Sequence, residues 1–351
     1  CTSNLPAVAV TPSEHFNTIL YTGDGTGTQA QTGVGFEPDM VWVKGRDASV
    51  WHGIADQLRG IQKFVYPNSE EEGETSHLTD YLNSFDSDGF THGDNGTIGR
   101  DTVNYVAWNW FAGNTALGTG DFTQGTIAST CRRNVDAGFS IVKYTGVDIL
   151  TTTVGHGLSK APELILLKNL SGGGDWRVLV SHGGTINATD YMVLNETDAT
   201  ADDATVWNDT EPTTTVFSVG TDDEVNDSGD DYIAYCFHSV DGYSKVGTYT
   251  GNEDADGTFV YTGFRPAYVL IKRSNGADQW HIHDIARSTY NPMDECLHTE
   301  TLLAETTAYN ALDFLSNGFK CRSTNSGTNH DGSPHVYMAF AETPFKYSNA
   351  K

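Results

Sequence analysis

One short pattern occurs three times along the chain, and this recurrence limits the possible folds more than any other feature. Its copies are Gly35-Phe36-Glu37-Pro38-Asp39-Met40-Val41-Trp42-Val43-Lys44, Gly157-Leu158-Ser159-Lys160-Ala161-Pro162-Glu163-Leu164-Ile165-Leu166-Leu167-Lys168 and Gly263-Phe264-Arg265-Pro266-Ala267-Tyr268-Val269-Leu270-Ile271-Lys272. Each is a glycine turn, a proline that sets an extended entry, an apolar run, and a lysine six residues after the proline.

Four further landmarks recur in the same order. A Tyr-Thr-Gly step precedes each pattern, at Tyr21-Thr22-Gly23, Tyr144-Thr145-Gly146 and Tyr249-Thr250-Gly251, with 17, 18 and 17 residues from tyrosine to proline. A tryptophan follows each lysine by seven or eight residues, at Trp51, Trp176 and Trp280. A hairpin signal returns later as Asp88-Gly89 and Asn317-Gly318 between apolar residues, while the middle copy keeps only Phe217-Ser218-Val219-Gly220. Each copy closes on Tyr105-Val106-Ala107-Trp108, Tyr232-Ile233-Ala234-Tyr235 or Tyr337-Met338-Ala339-Phe340, which lie 61, 64 and 65 residues beyond the lysine. The chain therefore reads as one module in tandem: an N-terminal linker at 1–15, units at 16–113, 138–241 and 242–351, and a Gly/Thr-rich linker at 114–137.

Units of about 100 residues, with short strands and Gly/Thr/Asn/Asp turns, predict an all-β fold of three antiparallel β-sandwiches, lectin-like or jelly-roll-like. A short helix is expected at Thr301–Glu305. The proline strands are apolar at consecutive positions, whereas a sandwich strand with one wet face alternates. Their outer faces should therefore be covered by the mid-unit segment, a neighbouring unit or another chain.

Composition excludes several function classes. The chain carries 46 acidic and 20 basic residues, a net charge of −26. Such a surface repels nucleic acid and anionic membranes, because phosphate binding needs clustered Lys and Arg. No apolar run reaches the ~18 residues a membrane helix needs, and no signal-peptide pattern is present. The chain begins at Cys1 rather than Met, which leaves room for an upstream segment. The five cysteines form no C-x-x-C pair, which argues against a zinc ribbon or redox motif, and a Cys296–Cys321 bridge stays open.

The repeated residues, with His15-Phe16-Asn17-Thr18-Ile19-Leu20-Tyr21-Thr22-Gly23, Phe85 to Phe90 and the terminus Ala339 to Ala350, resemble a domain of unassigned function found in tail-associated and appendage proteins of bacteriophages, many of them marine. The likeness covers nearly the whole chain. It implies a virion structural protein (tail fibre, spike or head appendage) on the particle surface, with other virion proteins and host-surface glycan as partners. Homotrimerisation follows by analogy with phage fibres. The family supplies no catalytic or binding residues to carry over.

Candidate sites are few. Acidic loops, densest at Asp222, Asp223, Asp227 and Asp230, could hold Ca2+, although no loop completes the calcium-loop pattern; solvated turns are the other reading. His281 and His283 share one strand face and could hold a metal, but no third ligand is apparent beyond Asp284, and an exposed face is the plainer reading. Recurrence makes Trp51, Trp176 and Trp280 core residues. The unrepeated aromatics Tyr66, Trp207 and Tyr290 are the surface candidates for glycan stacking. No G-x-S-x-G, H-E-x-x-H or paired-glutamate glucanase pattern is present, so the reading is non-enzymatic. The alternatives are an extracellular lectin or adhesin, and a polysaccharide hydrolase. The apolar run Asn104 to Phe111 stands out as a possible assembly contact.

Overall fold

The computed structural model describes residues 10–73, 80–182, 186–308 and 312–342, and these build antiparallel sheets with only short helical turns. The three proline patterns become strands Met40–Gly45, Leu164–Asn169 and Pro266–Arg273. On one side each pairs with a closing strand: Asn104–Trp110, Asp231–Phe237 and Pro334–Ala341. On the other side each pairs with His52–Asp56, Arg177–Val180 or Trp280–Asp284. The opening strands Phe16–Thr22, Phe139–Thr145 and Ser244–Thr250 flank the closing strands. The same order of four strands thus occurs in three sheets. Smaller antiparallel sheets also occur: Gln29–Thr32 with Gly89–His92 and Leu82–Asp86, Thr152–Gly155 with Val216–Val219, and Phe259–Tyr261 with Gly318–Cys321 and Leu312–Leu315.

Successive side chains of a strand point to opposite faces, and here both faces are buried. Val41 and Val43, Ile165 and Leu167, and Val269 and Ile271 enter three separate cores, each shared with one of the small sheets. The alternate residues Trp42, Leu166, Tyr268 and Leu270 enter a single further core, which takes in Trp108, Trp110, Tyr235, Phe237, Met338 and Phe340 of the closing strands. That common core is the expected cover on the outer faces, and it explains the lack of alternation. It also absorbs the apolar run Asn104 to Phe111, whose Trp108 and Trp110 are buried between sheets.

The Tyr-Thr-Gly steps have a steric reason. A Cβ on Gly23, Gly146 or Gly251 would lie 2.3, 2.2 or 2.3 Å from the carbonyl oxygen of Arg100, Asp227 or His330. The opening strand can leave its sheet there only against bare backbone.

Several sequence expectations change. The residue opposite the strand lysine is His52 for Lys44 and Trp280 for Lys272, and the pairing of Leu167 with Arg177 sets Trp176 opposite Lys168. Trp51 is thus one residue out of step with Trp176 and Trp280. A slip of one turns a side chain to the other face, and half-buried Trp51 packs beside Tyr66, ring centroids 4.9 Å apart, in the first sheet's own core. In the closing strands Tyr105 and Tyr232 face Tyr21 and Tyr144, but Tyr249 faces His335 rather than Tyr337. That slip of two keeps the face, so Tyr337 still enters the same core as Tyr249. Thr301–Glu305 is not helical; it has no regular secondary structure, and the Glu305 amide donates to the Arg46 carbonyl at 2.6 Å. The stretch 114–137 contributes strands Ala116–Leu117 and Ser129–Asn134, the latter paired to Phe139–Thr145. His281 and His283 are fully buried, not on an exposed face. Cys296 and Cys321 are both free and buried.

The three sheets are tied by hydrogen bonds that form a closed cycle. Trp176 donates its indole N–H to the Tyr66 carbonyl at 2.9 Å, Trp280 to the Val193 carbonyl at 2.9 Å, and His52 its Nε2–H to the His298 carbonyl at 2.9 Å. Four residues beyond each accepting residue, a second carbonyl accepts from a buried strand lysine: Lys168 to Glu70 at 3.1 Å, Lys272 to Thr197 at 2.7 Å and Lys44 to Leu302 at 3.1 Å. Two interfaces add a buried acid–donor contact, Tyr235 Oη–H to Asp56 at 2.8 Å and Trp108 Nε1–H to Asp284 at 3.0 Å.

Candidate functional site

The loop after Trp280–Asp284 is folded back by its own side chains. One Asp284 carboxylate oxygen accepts the amides of Ala286 and Arg287 at 3.1 and 3.0 Å, and the other accepts Arg287 Nε–H at 2.5 Å. Burial works against the Arg287 guanidinium, but the carboxylates of Asp284 and Glu305 outweigh it and hold its pKa above the ordinary arginine value. Further along, the Asn291 side chain donates to the Phe314 carbonyl at 3.0 Å and accepts the Phe314 amide at 2.8 Å, while the Met293 amide donates to Leu312 at 2.7 Å.

Tyr290 sits between these anchors and is 84% exposed. It borders an open cleft of about 540 Å³ lined with Arg265, Ile285, Thr289, Asn291 and Glu342. Arg265 donates to Glu342 at 2.5 Å across it. A flat aromatic that spends no polar group on its own fold, beside a guanidinium and a hydroxyl, is suited to stacking on a sugar ring and bonding its hydroxyls.

A corresponding cleft of about 480 Å³ in the second sheet is lined by Lys160, Pro162, Glu163, Ser181, His182 and Ser239, without an aromatic. Burial pushes the Glu163 carboxyl up, but hydrogen bonds from His182 and Ser239 prevail and leave its pKa below the usual value.

Of the three aromatics expected at the surface, only Tyr290 is there. Tyr66 is 4% and Trp207 0% exposed. Tyr66 occupies the segment that accepts Trp176, and its hydroxyl bonds Tyr81 at 3.1 Å. Trp207 packs from the short helix Ala204–Trp207 into the second sheet's core. A polar sequence neighbourhood placed both outside; the side chains turn inward from polar loops. Two exposed aromatics were missed, Phe259 and Tyr261, at 44% and 65% exposure. They flank buried Val260 on one strand, and that alternation was the available signal.

The acidic candidates do not converge. Asp222 caps the short helix Asp223–Asn226 through the Glu224 amide at 3.0 Å and lies 3.7 Å from Arg177. Asp227 accepts the Ser228 amide at 2.7 Å, and Asp230 accepts Asn169 Nδ2–H at 2.8 Å. No three of Asp222, Asp223, Asp227 and Asp230 bring carboxylate oxygens within 4.8 Å of one another. Capping, turn and strand-end bonds use Asp222, Asp227 and Asp230 instead.

Residues 11–344 match a family defined by a domain of unknown function, DUF7483. The chain belongs to that family. The match runs through all three sheets and includes Tyr290, Phe259 and Tyr261, so the DUF7483 domain spans the whole arrangement rather than one sheet of it. No curated protein and no solved structure matches the chain.

Proposed function

We propose that the chain is a non-catalytic structural and adhesive protein that meets a saccharide at Tyr290. The observation that carries this reading is the exposure of Tyr290 on a loop pinned at both ends, beside the Arg265–Glu342 pair. Phe259 and Tyr261 are further exposed aromatics in the same third of the chain. Among the described residues Glu342 is the one carboxylate lining the cleft, and glycoside hydrolysis uses a pair.

In this reading the three sheets are copies of one sandwich module, at 16–113, 138–241 and 242–351. The matched strand order, the shared steric need for Gly23, Gly146 and Gly251, and the cyclic hydrogen bonds support it. Rigid modules closed around one core suit a load-bearing scaffold, and the resemblance to phage tail and appendage proteins supports reading that scaffold as one carried on a virion surface.

A glycan array probed with the intact chain tests the adhesive role. Binding that is lost in Tyr290→Ala supports it; an array with no binder leaves a scaffold without adhesion. Release of reducing ends from host polysaccharide would instead establish a hydrolase.

A further inference from the structure

We propose that His281, Cys296 and His298 form a structural site for a thiophilic metal ion of the zinc class. His281 lies directly opposite His298 on paired strands, and Cys296 precedes His298 by two residues on the same strand edge. One donor atom from each lies within 4.8 Å of the others, and all three residues are buried.

Three features fit a metal beyond simple proximity. Cys296 Sγ is 3.6 Å from His281 Nδ1. Zinc bonds of about 2.3 Å to sulfur and 2.0–2.1 Å to nitrogen hold the two donor atoms about 3.5–3.6 Å apart in a tetrahedral site. His298 Nδ1 lies 3.0 Å from the Trp280 carbonyl, which can only accept, so that nitrogen carries the proton and Nε2 keeps its lone pair. Backbone-carbonyl anchoring of the second ring nitrogen is how ligating histidines are usually oriented. Space is also made: a Cβ on Gly327 would lie 2.0 Å from His281 Nε2, so only glycine leaves room for the ring.

Thiolate with imidazole suits zinc and related soft ions rather than calcium or magnesium. All three donors are buried, so an ion here acts as a clamp, and tetrahedral coordination takes a fourth ligand beyond these three. Cys296 is itself bridged to Thr306 by a pair of backbone hydrogen bonds at 2.9 Å, and the His298 carbonyl accepts from His52 of the first sheet. A metal would therefore lock the segment through which the third sheet reaches the first. The alternative is a plain thiol–imidazole contact in a core.

The test uses the full chain refolded with zinc or cobalt(II) and then freed of loose metal by gel filtration. Metal analysis should return about one zinc per chain, and the cobalt form should show a thiolate-to-cobalt charge-transfer band. Cys296→Ser should abolish the band and cut retained zinc at least ~tenfold, while Cys321→Ser leaves both unchanged. Retention of zinc and band in Cys296→Ser overturns the assignment. So does a wild-type chain that shows neither, which decides the matter if the variant does not fold. None of these readouts depends on saccharide binding.

Discussion

Lys168 donates through its ammonium to the carbonyls of Glu70, at 3.1 Å, and Gly174, at 2.5 Å, and so joins the second sheet to a segment 98 residues earlier. Lys44 and Lys272 make the same kind of bridge, to Leu302 and Thr197. A fully buried lysine is costly unless its charge is met, and here backbone oxygens from two parts of the chain meet it.

Replacing that lysine should weaken the join between sheets. Lys168→Ala leaves the Glu70 and Gly174 carbonyls without this donor and a cavity where the stem packed. Urea unfolding should show a loss of about 2–4 kcal/mol. A loss below about 1 kcal/mol would falsify the bridging role.

Stability should peak in mildly alkaline solution. Burial holds Lys44 down to about 7 and Lys168 and Lys272 to about 8, so between pH 7 and the ordinary lysine range the unfolded chain binds more protons than the folded one. Stability rises with pH wherever that holds. Above pH ~9 the sign reverses, because thiols of the unfolded chain ionise while burial pushes Cys131 and Cys321 up to about 12 and raises Cys236 further. Denaturation midpoints should climb from pH 7 to about 8.5, by the equivalent of about 2 kcal/mol, then fall. A midpoint that declines steadily from pH 7 contradicts the lysine assignment.

The Asp56–Arg59–Tyr235 contact offers a graded series. Both charged side chains are fully buried, with Nε to Oδ2 at 2.5 Å. Asp56→Ala strands the guanidinium and should cost about 3–5 kcal/mol. Tyr235→Phe removes two hydrogen bonds, the one it donates to Asp56 and the longer one it accepts from Arg59, and should cost about 1–2 kcal/mol. Between the second and third sheets the corresponding positions are Val180 and Met338, both apolar, whereas Asp284 and Trp108 repeat the polar contact between the third and first. The apolar interface shows that the position tolerates loss of charge, so Asp56→Val combined with Arg59→Leu should recover much of the single-variant loss. Thermal melts of the three variants rank the costs, and equal losses for Asp56→Ala and Tyr235→Phe would refute the burial argument.

At Gly146 even a methyl group is too large, since its carbon would lie 2.2 Å from the Asp227 oxygen. Gly146→Ala should lower stability by more than about 3 kcal/mol, with Gly23→Ala and Gly251→Ala close behind. Solvent-exposed Gly118, where a Cβ meets nothing within 4 Å, is the control and should tolerate alanine.

Tyr290→Ala should leave the melting temperature within about 1 °C of wild type, because the side chain is 84% exposed and its loop is held by Asn291 and Asp284. Saccharide binding should nevertheless fall at least ~tenfold, which is the order of one lost stacking contact. Isothermal titration with a sugar found on the array reads both affinity and stoichiometry.

Much of the scaffold is legible in the sequence, and the errors have definite sizes. Aligning Trp51 with Trp176 and Trp280 is off by one residue, which changes the face. Aligning Tyr337 with Tyr105 and Tyr232 is off by two, which does not. Counting residues between landmarks cannot see such slips, because loop lengths absorb them. Tyr66 and Trp207 look like surface residues because their neighbours are polar, but a residue's own burial depends on what packs over it. The pairing of His281 with His298 lies across a strand pair formed by a segment with no strand signature of its own, so only register reveals it.

What the residues determine alone is local: glycine where backbone meets backbone, proline at strand entry, and apolar runs without alternation that demand cover on both sides. What covers them is decided by tertiary structure. The apolar pattern is met equally well by a neighbouring unit, a mid-unit loop or another chain, since burial of apolar surface is non-directional. Directional hydrogen bonds from Lys44, Lys168, Lys272, His52, Trp176 and Trp280 select one answer: three sheets around one core, each reaching the next.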